Sequence, residues 1–389
     1  MLAMDGTLTA SIARKPHFTV WSALLLLATV CLTLIGLVTL FSASQSIYNN
    51  EFTILKKQLV WLVIALAAGV AAFVTPIERM RDWVWVLSGI VILGLILTLV
   101  PGVGITVNGA QRWIGFAGLR VQVSEFVKPV LVLVLAHYMA SNQRSLDGFL
   151  KGFLVPILIV GLVCGLIFLQ PDYGTAVLCG SVGMILIFLA GVRVMYLVPS
   201  ALCALGVFAF MVSRNPERLS RITSYLNIEE NLSTGAYQLW QGILAFGAGG
   251  LTGVGLGNGR QQFSFLPEAH TDFIFAILGE EMGLIATMSV VILFLAIFVI
   301  CMLQLRRAPN LYQFLLGVGA LLFITLQAII NLGVVTGCLP TKGMSLPFIS
   351  YGGSNLVVMF LLIGLILNLF RHWARPFVSE ASELKSFND

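Results

Sequence analysis

Val20-WSALLLLATVCLTLIGLVTL-Phe41 decides the fold. The stretch carries no charge, and a helix of about twenty residues spans the ~30 Å hydrocarbon core of a bilayer. It is too long for the apolar core of a signal peptide and no small-residue cleavage site follows, so it reads as a retained span. Similar runs recur along the chain. Lipid offers no hydrogen bonds, so each run must satisfy its own backbone as a helix. The pattern predicts helices over 20–42, 57–75, 83–100, 123–140, 150–169, 174–191, 193–212, 273–304, 312–337 and 354–370. The expected fold is an all-α polytopic membrane protein of about ten transmembrane helices. A ten-helix domain over 20–371 lies between tails at 1–19 and 372–389.

Composition agrees. Of 389 residues, 58% are hydrophobic and 10% charged, with mean hydropathy +0.98. Soluble domains carry about 25% charged residues, so lipid must be the main solvent here. The net charge of +5 is scattered, and no basic block points to nucleic acid. The six cysteines show no Cys-x-x-Cys spacing; they indicate neither a disulfide framework nor a zinc site and read as small packing residues.

An even number of spans puts both termini on one side. One set of loops then holds Arg14, Lys15, Arg79, Arg81, Arg144, Lys151, Arg193, Arg306, Arg307, Arg371, Arg375 and Lys385. The short loops opposite hold Lys56, Lys57, Arg112, Arg120 and Lys342. The positive-inside rule places both termini in the cytoplasm. The long loop 213–271, exempt from that count, faces outward. Its aromatic and apolar runs, Tyr237-QL-Trp240 and Gly242-ILA-Phe246, predict that it folds back onto the membrane surface. Seven glycines between Gly247 and Gly259 predict tight turns. No strand precedes them and no Gly-Lys-Ser/Thr follows, so they are not a nucleotide-binding loop. No internal repeat is evident, which weighs against an inverted-repeat transporter.

Ionisable residues within spans are costly and point to function. Glu125 and Lys128 share a helix face at i, i+3 and can pair, either as a self-neutralising couple or as fixed charge lining a cavity. Asp172, after Pro171, suits either a helix N-cap or a site. In Leu266-PEAHTD-Phe273, Glu268, His270 and Asp272 converge where the chain re-enters the membrane, with Glu280 and Glu281 beyond. Asp272 reads as an N-cap or first-turn residue, or as a general base whose basicity rises on withdrawal from water. In Asn108-GAQRW-Ile114, Arg112 suits a phosphate oxygen and Trp113 a sugar face or the interface. Leu339-PTKGMSLPFISYGG-Ser354 is too rich in proline and glycine for a helix. Irregular backbone at membrane depth lines a site, which makes Lys342 and Ser350 candidate contacts.

Four of these stretches together resemble the SEDS family of bacterial cell-wall proteins (FtsW, RodA, SpoVE): Asn108–Ile114, Gln170-PDYGT-Ala176, Leu266–Phe273 with Glu280-Glu281, and Pro340–Ser354. Their order and spacing fit over about 20–370. The Pro-Glu-Ala-His-Thr-Asp and Thr-Lys-Gly forms are nearer the division members than the elongation members. One departure is Gln122-Val-Ser-Glu125, where the family often has Pro after Gln; it puts the local turn in question, not the glutamate.

The resemblance implies peptidoglycan glycosyl transfer: polymerisation of lipid II into a growing glycan strand on the outer face of the bacterial inner membrane, at the division septum. The family's essential aspartate maps onto Asp272. Arg112, Trp113, Gln122, Glu125, Lys128, Asp172, Glu268, His270, Lys342 and Ser350 would contact substrate. A class B penicillin-binding protein (FtsI-like transpeptidase), other division proteins and membrane lipid would be its partners. The chemistry is coherent: an acceptor hydroxyl needs a base, while a pyrophosphate leaving group needs cations and no general acid, so the carboxylate pair of glycoside hydrolysis is not required. Mg²⁺ or another divalent cation would fit such chemistry, though no carboxylate cluster encodes a metal site. Two alternatives remain open: a lipid II flippase, which needs a polar path open to both faces, and a non-catalytic division scaffold, which would not need Asp272.

Overall fold

The computed structural model describes residues 20–44, 53–107, 110–116, 119–228, 231–232, 236–260 and 270–373. The predicted tail 1–19, residues 374–389 of the other tail, and Glu268 lie outside them. Helices occur at all ten predicted positions. Eight are long and apolar enough to cross a membrane: α1 (Val20–Ser44), α2 (Thr53–Val74), α5 (Val123–Ser141), a π-helical turn Phe149–Leu154 running into α6 (Val155–Leu169), α8 (Val194–Ser213), α11 (Ile274–Leu305), α12 (Leu311–Val335) and α13 (Gly353–Trp373). Two shorter apolar helices, α4 (Val84–Leu99) and α7 (Tyr173–Leu189), fill the other two positions. A short polar helix, α3 (Ile77–Asp82), precedes α4.

Helix α13 is buried almost all round, whereas α8 is exposed along nearly its whole length. A β-carbon at Gly364 would run into the backbone of Gly69, so α13 and α2 meet backbone to backbone, the small-residue contact that replaces hydrophobic driving force in lipid. At the end of that contact Asn368 Nδ2 donates to the carbonyl oxygens of Ala72 and Thr75, at 2.8 and 2.6 Å. The last carbonyls of α2 thereby gain partners. Helix α8 instead exposes large apolar side chains, including Met195, Leu202, Leu205 and Phe210.

The mostly helical fold expected of the sequence also carries a small sheet: β1 (Gly104–Val107), β2 (Ala110–Phe116) and β3 (Leu119–Gln122) form an antiparallel sheet between α4 and α5, with Gly104 opposite Ile114 and Trp113 opposite Gln122. The strands are too short to leave a clear alternation between apolar helices. The long loop also carries helices α9 (Pro216–Leu226) and α10 (Tyr237–Gly249). Helix α10 packs against α11, with Gly249 against the backbone of Gly279 and Phe246 edge-on to Phe275.

The glycines after α10 serve α11. At Gly283 α11 breaks, with φ +71°, a region favoured by glycine. Val254 and Gly255 N–H donate to the carbonyls of Glu280 and Glu281 at 3.0 Å, and Leu284 N–H donates to Gly250 at 2.9 Å. The carboxylates turn the same way: Glu281 accepts from Ser42 (2.7 Å) and Gly257 N–H (3.0 Å), and Glu280 from Arg260 N–H (2.7 Å). These buried acids clasp a turn.

Candidate active site

The sheet, the N-termini of α5, α7 and α11, the helix α9 and the segment between α12 and α13 share one end of the bundle, the sheet end. Asp172 organises half of it. It is the N-cap of α7: its Oδ1 accepts from Thr175 N–H at 3.2 Å. Its Oδ2 accepts from Thr175 Oγ1 (3.0 Å), Gln122 Nε2 (3.1 Å) and Ser124 Oγ (3.2 Å), and Arg112 Nη1 stands at 3.4 Å. The capping reading therefore holds, and the same carboxylate ties the sheet to α5 and α7. Gln122 is the extended N-cap of α5 and donates its N–H to Ser354 Oγ at 2.9 Å, so the turn forms without the missing proline. Arg112 Nε and Trp113 Nε1 are buried without a hydrogen-bond partner.

Two further cations stand nearby. Arg218 of α9, which the sequence reading left inside the long loop, donates to the Pro171 carbonyl at 3.0 Å and lies over the Tyr173 ring, 3.2 Å from its centroid. Lys342 Nζ lies 5.4 Å from the Phe208 ring centroid. Burial and the neighbouring Arg218 push its ammonium below the ordinary lysine range, while Asp172 pulls the other way.

Asp272 stands one residue outside the N-cap of α11, which is Phe273; it is neither N-cap nor first-turn residue. The chain is held in a turn at that point. Tyr351 N–H donates to the His270 carbonyl at 3.0 Å, and Asn331 Nδ2 to the Asp272 carbonyl at 2.9 Å. The Asp272 carboxylate lies against the 336–352 segment: a β-carbon at Gly343 would come within 2.8 Å of its Oδ2. Asp272 and Lys342 are both half-buried.

Glu125 and Lys128 pair as their spacing predicted, at 2.7 Å, but inside the bundle. Lys128 Nζ also donates to Gln327 Oε1 at 2.7 Å, and Gln327 Nε2 donates to the Ser345 carbonyl and to Asn355 Oδ1 at 2.8 and 2.9 Å. Lys128 is 1% exposed, so in this conformation it braces the segment and offers no charge to a ligand. Ser350 Oγ accepts from Leu346 N–H at 2.7 Å and shapes the same segment. Among the described residues no group of three or more His, Cys, Asp or Glu is placed to hold a metal ion.

A bundle of apolar helices with a composite polar end, built from helix N-termini, a small sheet and a non-helical segment, defines a polytopic membrane protein. A family model described as a cell cycle protein (FtsW, RodA, SpoVE) matches residues 22–374, and the chain belongs to this family. It is 42% identical over 362 residues to a probable peptidoglycan glycosyltransferase FtsW of Coxiella burnetii, spanning 90% of this chain and 96% of that one. It is 38% identical over 353 residues to the stage V sporulation protein E of Bacillus subtilis, again 90% and 96%. Crystalline RodA of Thermus thermophilus superposes with TM-score 0.67 at 26% identity, covering 90% and 97%. A chain from a peptidoglycan synthase complex that coordinates polymerization and crosslinking gives TM-score 0.71 at 24% identity, covering 90% and 98%, a likeness of fold.

Proposed function

We propose that this chain is a peptidoglycan glycosyltransferase that polymerises lipid II, with Asp272 as general base. The sheet end faces outward and both termini lie in the cytoplasm, at the septum of a dividing bacterium. Asp272 takes the proton from the 4-hydroxyl of the acceptor GlcNAc. The freed oxygen attacks the anomeric carbon of the donor MurNAc, the bond to the pyrophosphate oxygen breaks, and undecaprenyl pyrophosphate leaves with that electron pair. Arg112, Lys342 and Arg218 meet the charge that develops on the leaving group. Trp113 and His270 remain candidates for the sugar, and Glu268 for the approach to Asp272. The observation that carries this reading is the approach of the Asp272 carboxylate to Gly343, where a β-carbon would stand 2.8 Å from Oδ2, next to Lys342. It brings one carboxylate to a cation-bearing segment, which suits a reaction needing one base and no acid. The probable glycosyltransferase among the relatives adds support for the activity.

The test uses the full chain purified with its transpeptidase partner and supplied with lipid II. Wild type is expected to yield glycan polymer, and Asp272→Asn at least ~100-fold less. Equal polymer from both would overturn the catalytic assignment. Absence of polymer from both, with lipid II moving between leaflets of proteoliposomes, would favour the flippase.

A further inference from the structure

We infer that Asn331 is a positioning residue, the staple that sets the distance between the base and the cation-bearing segment; this rests on the functional reading above. Asn331 lies on α12, 1% exposed. Its single amide nitrogen donates to two carbonyls from different parts of the chain: Asp272 at 2.9 Å and Met344 at 2.6 Å. One side chain thus fixes the backbone that carries the carboxylate and the backbone two residues beyond Lys342.

Other links between these parts are lateral. The His270–Tyr351 backbone bond lies two residues before Asp272 and nine after Lys342. Gln327, one turn earlier on α12, holds Ser345 and Asn355 but not Asp272. The close approach of Asp272 Oδ2 to Gly343 leaves little room for error. Both N–H bonds of one amide are used, and an apolar side chain would remove this donor from a part-buried and a buried carbonyl at once. An error of about 1 Å in the placement of a reacting group costs on the order of 100-fold in rate.

The experiment compares wild type, Asn331→Leu and Gln327→Leu in the full chain with its transpeptidase. It measures kcat and KM for lipid II, and hydrogen exchange of peptides covering 270–276 and 339–352. Asn331→Leu is expected to lower kcat by about 30- to 100-fold, with KM within about threefold, and to speed exchange in both peptides together. Gln327→Leu is expected to speed exchange only in 339–352, and Asn331→Gln, which keeps the donor on a longer arm, to recover part of kcat. Unchanged kcat, a rise in KM alone, or exchange that changes in only one peptide would overturn the assignment. If Asn331→Leu does not fold, Asn331→Gln against wild type carries the same two readouts: a kcat loss with coupled exchange supports the staple, and wild-type values overturn it. If wild type makes no polymer, the functional reading fails and exchange alone decides whether the staple exists.

Discussion

Glu125 and Asp272 sit at the same end of the bundle, each in surroundings that include a lysine, and they are put to opposite uses. Glu125 is sealed with Lys128 at 2.7 Å, and the chain of bonds runs on through Gln327 to Ser345. Every link ends in protein. Asp272 is half-buried, fixed by its backbone, and lies against a glycine. An intramembrane charge pair is therefore no sign of chemistry by itself. Glu125 is held through its carboxylate, whereas the Asn331 bond holds Asp272 through its main-chain carbonyl.

Mutation sharpens that contrast. The largest effect is expected at Asp272→Asn: a rate loss of about 10²–10⁴ in lipid II polymerisation, with thermal stability unchanged. Lys128→Met should do the reverse. It strands a buried carboxylate at a cost of about 3–5 kcal/mol, read as a lower unfolding midpoint in detergent, while Glu125→Gln with Lys128→Met restores most of it. A result in which Asp272→Asn destabilises as much as Lys128→Met would erase the distinction. Gly343→Ala is next. Its β-carbon would meet Asp272 Oδ2 at 2.8 Å, and the carboxylate must move, for an expected loss of roughly tenfold in kcat with stability retained.

The smallest effect concerns pH. With Lys342 as the cation proposed above, activity is expected to fall as pH rises through its pKa. Burial and Arg218 depress that pKa, which places the alkaline limb below the ordinary lysine range. Arg218→Gln removes a positive neighbour, raises the pKa, and should move the limb to higher pH. A shift to lower pH, or none, would detach Arg218 from Lys342.

Hydropathy made the ten helix positions legible, because in lipid nothing but a helix satisfies an isolated apolar run. The i, i+3 pair at Glu125 and Lys128 and the capping role of Asp172 followed from local spacing. The sheet did not, since its pairing joins residues across turns and two strands are four residues long. Asp272 and the start of the helix at 273 were legible, but not the bond from Asn331, some sixty residues away, that holds its carbonyl. Asn331 and Gln327 were invisible for a related reason. A neutral amide in an apolar helix carries no charge to attract notice, and its value lies in which carbonyls the fold brings to it. Arg218 lay in a stretch that offered no count of charge to place it.

The break at Gly283 divides α11 into a short upper piece, 274–282, and a long lower one, 284–305. Helices in a bilayer tilt to match its thickness. Here the long piece has a joint above it, and the short piece is pinned to α10, to the glycine turn and, through Asn331, to α12. The long piece is pinned there too, since Leu284 and Ile285 N–H donate to the carbonyls of Gly250 and Leu251. The break is therefore a braced corner in the shaft, held from both sides by the turn that follows α10.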